Sequence, residues 1–119
     1  MDIKSREDIE RLIFAFYDKL LQVEDIKPVF DGINFQSHVP HIVSFWSFVL
    51  LDEAGYKTNV FDKHIKLPIK LYMFDVWLEV FTETVDNLFK GEKAEMAKQR
   101  AATLAYTFKS KWETIKKEA

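Results

Sequence analysis

Apolar residues recur along this chain every three or four positions, in long stretches separated by short breaks rich in Asp, Asn, Gly and Pro. That is the pattern of amphipathic helices. Ile9, Leu12, Ile13, Phe16, Tyr17, Leu20 and Leu21 share one face at helical spacing. Ser5 and Asp8 make a capping box ahead of them. A short helical turn around Pro28 is expected between Asp25 and Phe30, and then a loop through Gly32 and Asn34. A second long helix is expected from near Ser37, with Pro40 tolerated in its first turn, where N–H groups have no intrahelical partner. Its apolar face is His38, Ile42, Phe45, Trp46, Val49 and Leu50, and Gly55 is placed to cap its end. Positions 56–67 show weak periodicity and read as loop with at most a turn or two of helix. Pro68 is suited to open a third helix with the face Met73, Trp77, Val80, Phe81, Val85 and Leu88, ended by Gly91. The last helix carries Ala97, Ala101, Leu104, Ala105, Phe108, Trp112 and Ile115. No run alternates long enough for a strand. The expected fold class is all-α, and the length suits one domain spanning residues 1–119.

Composition narrows the chemistry. The chain has no cysteine, which removes disulfides, thiolate zinc sites, iron–sulfur clusters and thiol catalysis. Its formal charge is −2, without a long block of one sign, and the basic stretch from Lys109 to Lys117 is interleaved with Trp112 and Glu113. A solvated helix end that complements the helix dipole accounts for that stretch, so no nucleic-acid partner is expected. The charged start, Met1 to Asp8, lacks the apolar core of a signal peptide, and no stretch is long and uncharged enough to span a bilayer. A cytoplasmic protein with no membrane partner is the expectation. Aromatic content is high at 15%, which suits either a well-packed small core or a pocket for a flat aromatic ligand.

Several familiar sites are missing. There is no Glu-x-x-His for a carboxylate-bridged di-iron bundle, no His-Glu-x-x-His for a zinc protease, and no glycine-rich phosphate loop, since Gly32, Gly55 and Gly91 stand alone. Nothing resembles a nucleophile elbow. Three histidines remain. His64 sits in a break between helices, flanked by Phe61, Ile65 and Leu67, where an imidazole can approach a metal group edge-on; locally it also reads as a surface-loop residue beside Asp62 and Lys63. His38 aligns with Ile42, Phe45 and Trp46 and is expected to point inward, although a histidine near a helix start can also cap it or face water. His41 lies nearer the edge of that face. Two imidazoles three apart do not make a structural zinc site. Tyr17 and Trp77 place polar donors on apolar faces, and each can find a partner in a backbone carbonyl or in a ligand.

Taken together in order and spacing, these residues resemble the truncated haemoglobins, most closely the third group of that family. The resemblance rests on Phe16-Tyr17-Asp18-Lys19, Pro28-Val29-Phe30, His38 followed by Ser44-Phe45-Trp46, Lys63-His64-Ile65-Lys66-Leu67-Pro68, and Phe74-Asp75-Val76-Trp77-Leu78-Glu79-Val80-Phe81. It runs from about Ile9 to Phe108. The double-glycine motifs of the other truncated groups are missing, as the third group leads one to expect.

The resemblance implies a globin-like two-over-two helical sandwich holding haem b (iron protoporphyrin IX). It assigns iron ligation, the one metal site, to His64. Tyr17, His38 and Trp77 become the distal cluster over the bound ligand. Phe30, Ile42, Phe45 and Trp46 line the haem, and His41 and Lys63 lie on its propionate side. The implied ligands are O₂, CO or NO. Tight retention by several donors suits O₂ chemistry, such as nitric oxide dioxygenase-like or peroxidase-like turnover, better than carriage, and turnover requires an external electron-donor protein. Two alternatives remain at this point: a haem-based sensor or carrier without turnover, and a cofactor-free helical interaction module.

Overall fold

The computed structural model describes residues 1–53 and 69–118, with the side chains of the last helix described as far as Thr114. Four α-helices and one 3-10 turn make up the ordered elements among the described residues: α1 (Arg6–Leu20), the 3-10 turn (Lys27–Phe30), α2 (Phe35–Leu51), α3 (Leu71–Leu88) and α4 (Glu92–Glu118). The α1–α2 pair lies over the α3–α4 pair. Helix α1 packs on both α2 and α3, α3 packs most extensively on α4, and α2 also reaches α4. This is the all-α, two-over-two sandwich of a globin-like fold.

Local chemistry sets the helix ends. Ser5 Oγ accepts from the Asp8 N–H at 3.3 Å, and Asp8 Oδ2 accepts from the Ser5 and Lys4 N–H groups at 3.2 and 2.8 Å, which closes the expected capping box. Helix α2 begins two residues earlier than its apolar pattern suggests. Asn34 nucleates it: its side-chain oxygen accepts from the Gln36 N–H at 3.0 Å, and its carbonyl accepts from Ser37 and His38. Pro40 is therefore the sixth residue of the helix and not part of its first turn. It withholds the N–H that the Gln36 carbonyl would otherwise receive, on a side of the helix where both residues are exposed to water. The helix ends at Leu51, with Asp52 in the left-handed conformation at φ 57°. Gly55 and Pro68 lie outside the described residues.

Gly91 does something other than stop a helix. Helix α3 already ends at Leu88 with Phe89 as its cap. Gly91 instead adopts φ +142° and lets the N-terminal segment approach so closely that a Cβ there would lie 2.5 Å from Asp2 Cγ. Asp2 uses that approach to cap α4 from far away in sequence, accepting from the Lys93 and Ala94 N–H groups at 2.9 Å each. The Met1 carbonyl accepts from Lys90 N–H at 2.8 Å beside it. Burial opposes ionisation of the Asp2 carboxyl. The N–H bonds from Lys93, Ile3 and Ala94, with the N-terminal ammonium, outweigh it and hold the carboxyl below its ordinary range.

The main core is built from the expected α1 face (Ile9, Leu12, Ile13, Phe16, Tyr17 and Leu20) against Val43, Trp46 and Leu50 of α2, Phe81 and Val85 of α3, and Ala97 and Ala101 of α4. The alanines let α4 come close. Helix α2 carries two apolar stripes. Val39, Val43, Trp46, Ser47 and Leu50 are buried, while His38, Ile42, Phe45 and Val49 are only half-buried. Ile42 and Phe45 of the second stripe, with Trp46 of the first, border a cavity.

Candidate functional site

That cavity is walled by every described element. Helix α1 contributes Ile13, Phe16, Tyr17 and Leu20; the 3-10 turn and the residue before it contribute Ile26, Val29 and Phe30; α2 contributes Ile42, Phe45 and Trp46. Ile69 and the α3 residues Met73, Phe74, Trp77 and Phe81 form the opposite wall, and Leu104, Ala105 and Phe108 of α4 complete it. The cavity enclosed between these walls is about 90 Å³, narrower than the pockets that hold a whole cofactor.

Rings on the α1, α2 and α3 walls pack on one another. Phe81 stacks on Trp46 (centroids 4.9 Å apart, planes at 19°) and on Trp77 (5.6 Å, 12°). Phe16 meets Phe81 and Trp77 edge-on, at 76° and 86°. Such offset and edge-to-face pairs hold ring orientations in a packed interior. The donors available on this lining are few: the Tyr17 hydroxyl and the indoles of Trp46 and Trp77.

Tyr17 is the polar centre of the site. It is 7% exposed, and its ring is enclosed by Phe16, Phe30, Phe35 and His38. Its hydroxyl lies 3.0 Å from His38 Nε2. Burial pushes the phenol well above its ordinary value, so it stays a protonated donor through the neutral range. A phenol has one hydrogen. If Nε2 is unprotonated, Tyr17 donates to it; if Nε2 carries a proton, Tyr17 accepts and its own hydrogen is free to turn elsewhere.

Six residues singled out in the sequence thus meet on the cavity wall: Tyr17, Phe30, Ile42, Phe45, Trp46 and Trp77. His38 is half-buried and reaches the cavity through Tyr17 without lining it. His41 is exposed and stands away from the lining. Lys63 and His64 lie outside the described residues. Phe35, which packs on the rings of Tyr17 and His38 and so encloses their hydrogen bond, carried no signal in the sequence. Neither did Ile26, and Val29 was marked only as part of the Pro28-Val29-Phe30 motif; the place of both on the wall follows from where the 3-10 turn docks. Phe16, Phe81 and Phe108 serve as packing residues and as lining at once. Among the described residues no group of three or more side chains is arranged to hold a metal ion, and no helix is long and apolar enough to cross a membrane.

No family model matches the chain. It is 28% identical over 113 residues to the group 3 truncated hemoglobin ctb of Campylobacter jejuni subsp. jejuni, a match covering 89% of each sequence. Its fold superposes on the crystal structure of a group III truncated hemoglobin from Campylobacter jejuni with a TM-score of 0.83, at 28% identity, over 94% of this chain and 95% of that one. The chain is thus related in sequence to the group 3 truncated haemoglobins and has the truncated-haemoglobin fold.

Proposed function

We propose that this chain is a single-domain globin that holds haem b in the aromatic cavity and binds O₂, CO or NO at its iron. The observation that carries this reading is the lining of the cavity: apolar and aromatic side chains from all the described elements, with a buried Tyr17 hydroxyl on the wall and the His38 imidazole directly behind. A flat apolar macrocycle fits such walls, since its faces meet rings and aliphatic side chains that have no polar demand of their own. The likeness to group 3 truncated hemoglobin supports the same ligand. Bound there, ferrous haem supplies an iron with an open position for a diatomic gas.

The chain's own residues then divide the work. His64 is the proposed iron ligand. It lies outside the described residues, five positions before Ile69, which lines the cavity. Phe30, Ile42, Phe45 and Trp46 enclose the ring and exclude water. Tyr17, backed by His38, and Trp77 offer donors to a ligand that gains partial negative charge, where a dry site makes each hydrogen bond count for more than in water. His41 and Lys63 are the proposed partners of the propionates. Turnover of a nitric oxide or peroxide substrate requires electrons from a donor protein, and a cytoplasmic setting suits that supply. The test is an absorption spectrum after haem addition, oxidised and then reduced under CO. A sharp Soret band at one haem per chain that shifts with CO is the expected result. A broad band without fixed stoichiometry overturns the reading and leaves a cofactor-free helical module.

A further inference from the structure

The cavity has two walls from distant parts of the chain that meet on the outside of the molecule. One is the 3-10 turn with the residue before it, where Ile26 and Val29 face the cavity; the other is Ile69 with the first turn of α3, where Met73 and Phe74 face it. Exposed polar residues stand beside both walls, among them Asp25 before Ile26 and Tyr72 before Met73. Those two residues join: the Tyr72 hydroxyl donates to Asp25 Oδ2 at 3.0 Å, across 47 positions of sequence. The hydrogen bond to Asp25, then desolvation, then the carboxylate charge raise the Tyr72 phenol above its ordinary value, as expected of a donor held against an anion. Among the described residues this is the one side-chain hydrogen bond between the segment that carries the 3-10 turn and α3. The 3-10 turn itself is four residues long and ends in an extended Asp31, so little regular structure ties it down.

We propose that Tyr72 and Asp25 form a latch that holds the 3-10 wall of the cavity against the start of α3, and so sets how fast a planar ligand leaves or enters. This rests on the reading of the cavity as a haem site, but the latch itself is a property of the two walls. A bond at the surface that spans two separately anchored segments adds little to the global stability of the fold. It matters for the local opening that parts those segments, because that opening must break it. Tyr72 and Asp25 are therefore positioning residues, acting through Met73 and Ile26 and without touching the ligand.

The experiment is a double-mutant cycle on the haem-loaded protein with Tyr72→Phe, Asp25→Ala and the pair, following haem transfer to an excess of an apo-globin acceptor. Each single variant is expected to lose haem about three- to tenfold faster than the parent, as loss of one such bond implies. The double variant is expected to match the singles both in haem loss and in the thermal midpoint of the ligand-free chain. Unchanged transfer rates in the singles, or effects that multiply in the double, overturn the latch. If the parent takes up no stoichiometric haem, the haem reading fails separately. The latch is then judged on the rate at which the ligand-free chain takes up 8-anilinonaphthalene-1-sulfonate. Faster uptake in both single variants and no further gain in the double supports the latch, and equal uptake in all four proteins overturns it.

Discussion

Helix α2 has two apolar stripes that differ in what they face. Val43, Ser47 and Leu50 belong to the closed side; all three are at most 1% exposed. His38, Ile42, Phe45 and Val49 point the other way and are half-buried, although three of the four are as apolar as anything in the core. The closed side exists to be filled by the chain itself. On the open side Ile42 and Phe45 border the cavity together with Trp46, and the proposed haem would cover them. The contrast separates a core from a binding wall within one helix.

The contrast is sharpest when one side chain is truncated on each stripe. Leu50→Ala is expected to lower the stability of the ligand-free chain by about 2–5 kcal/mol, the range for a buried aliphatic deletion that leaves a cavity. Ile42→Ala is expected to lower it by about 1 kcal/mol or less, because only part of that side chain leaves water on folding, while haem affinity falls clearly. Equal losses in urea unfolding of the two variants would erase the distinction between the stripes.

Tyr17→Phe probes the one hydroxyl on the binding wall among the described residues. The ligand-free chain is expected to lose about 1 kcal/mol, the net worth of a buried hydrogen bond. O₂ dissociation is expected to rise about ten- to a hundredfold, in line with loss of one charge-assisted bond. Stopped-flow displacement of O₂ by CO measures it. An unchanged rate with intact haem would remove Tyr17 from the ligand's surroundings without touching the fold.

Much of the fold was visible in the sequence because it is local. The capping box at Ser5 and Asp8, the α1 face from Ile9 to Leu20 and the inward aim of Tyr17 all follow from spacing over one or two turns. What the sequence misplaced depends on contacts between distant segments or on backbone detail. The start of α2 is set by the Asn34 side chain and carbonyl, which brings Pro40 into the helix interior. Gly91 looks like a stop signal in isolation, and its use as a landing place for Asp2 involves a partner some ninety positions away. The two stripes of α2 were merged in the sequence reading because Trp46 and Leu50 are spaced to join either, and hydropathy does not distinguish a wall facing a cavity from one facing another helix. The aromatic lining was legible as residues but not as a surface: Phe16 and Phe81 carry the same letters whether or not they border a void.

The smallest expected effect concerns the strap at the far end of α4. Asp2 is ionised in the fold with its pKa held below the ordinary value. Its contribution is therefore fully present above the unfolded-state pKa and is lost as pH falls through the lower, folded value. Asp2→Asn is expected to cost about 1 kcal/mol at neutral pH, as a weakened N-cap does, and to flatten the fall in stability on the acid side. Urea midpoints between pH 7 and pH 3 measure both. A variant that keeps the parent's acid slope would show that Asp2 does not carry it. Haem affinity is expected to be unchanged at neutral pH, since the strap lies outside the cavity lining.

The central claim is that the open stripe of α2 faces a haem held by His64. The most direct test is the iron–histidine stretching band in the resonance Raman spectrum of the reduced, ligand-free haem protein, recorded for the parent and for His64→Gly with and without added imidazole. The account predicts a band in the parent, its loss in the variant, and its return with imidazole. A band that survives His64→Gly would place the iron on another residue and contradict the assignment on which the binding wall rests.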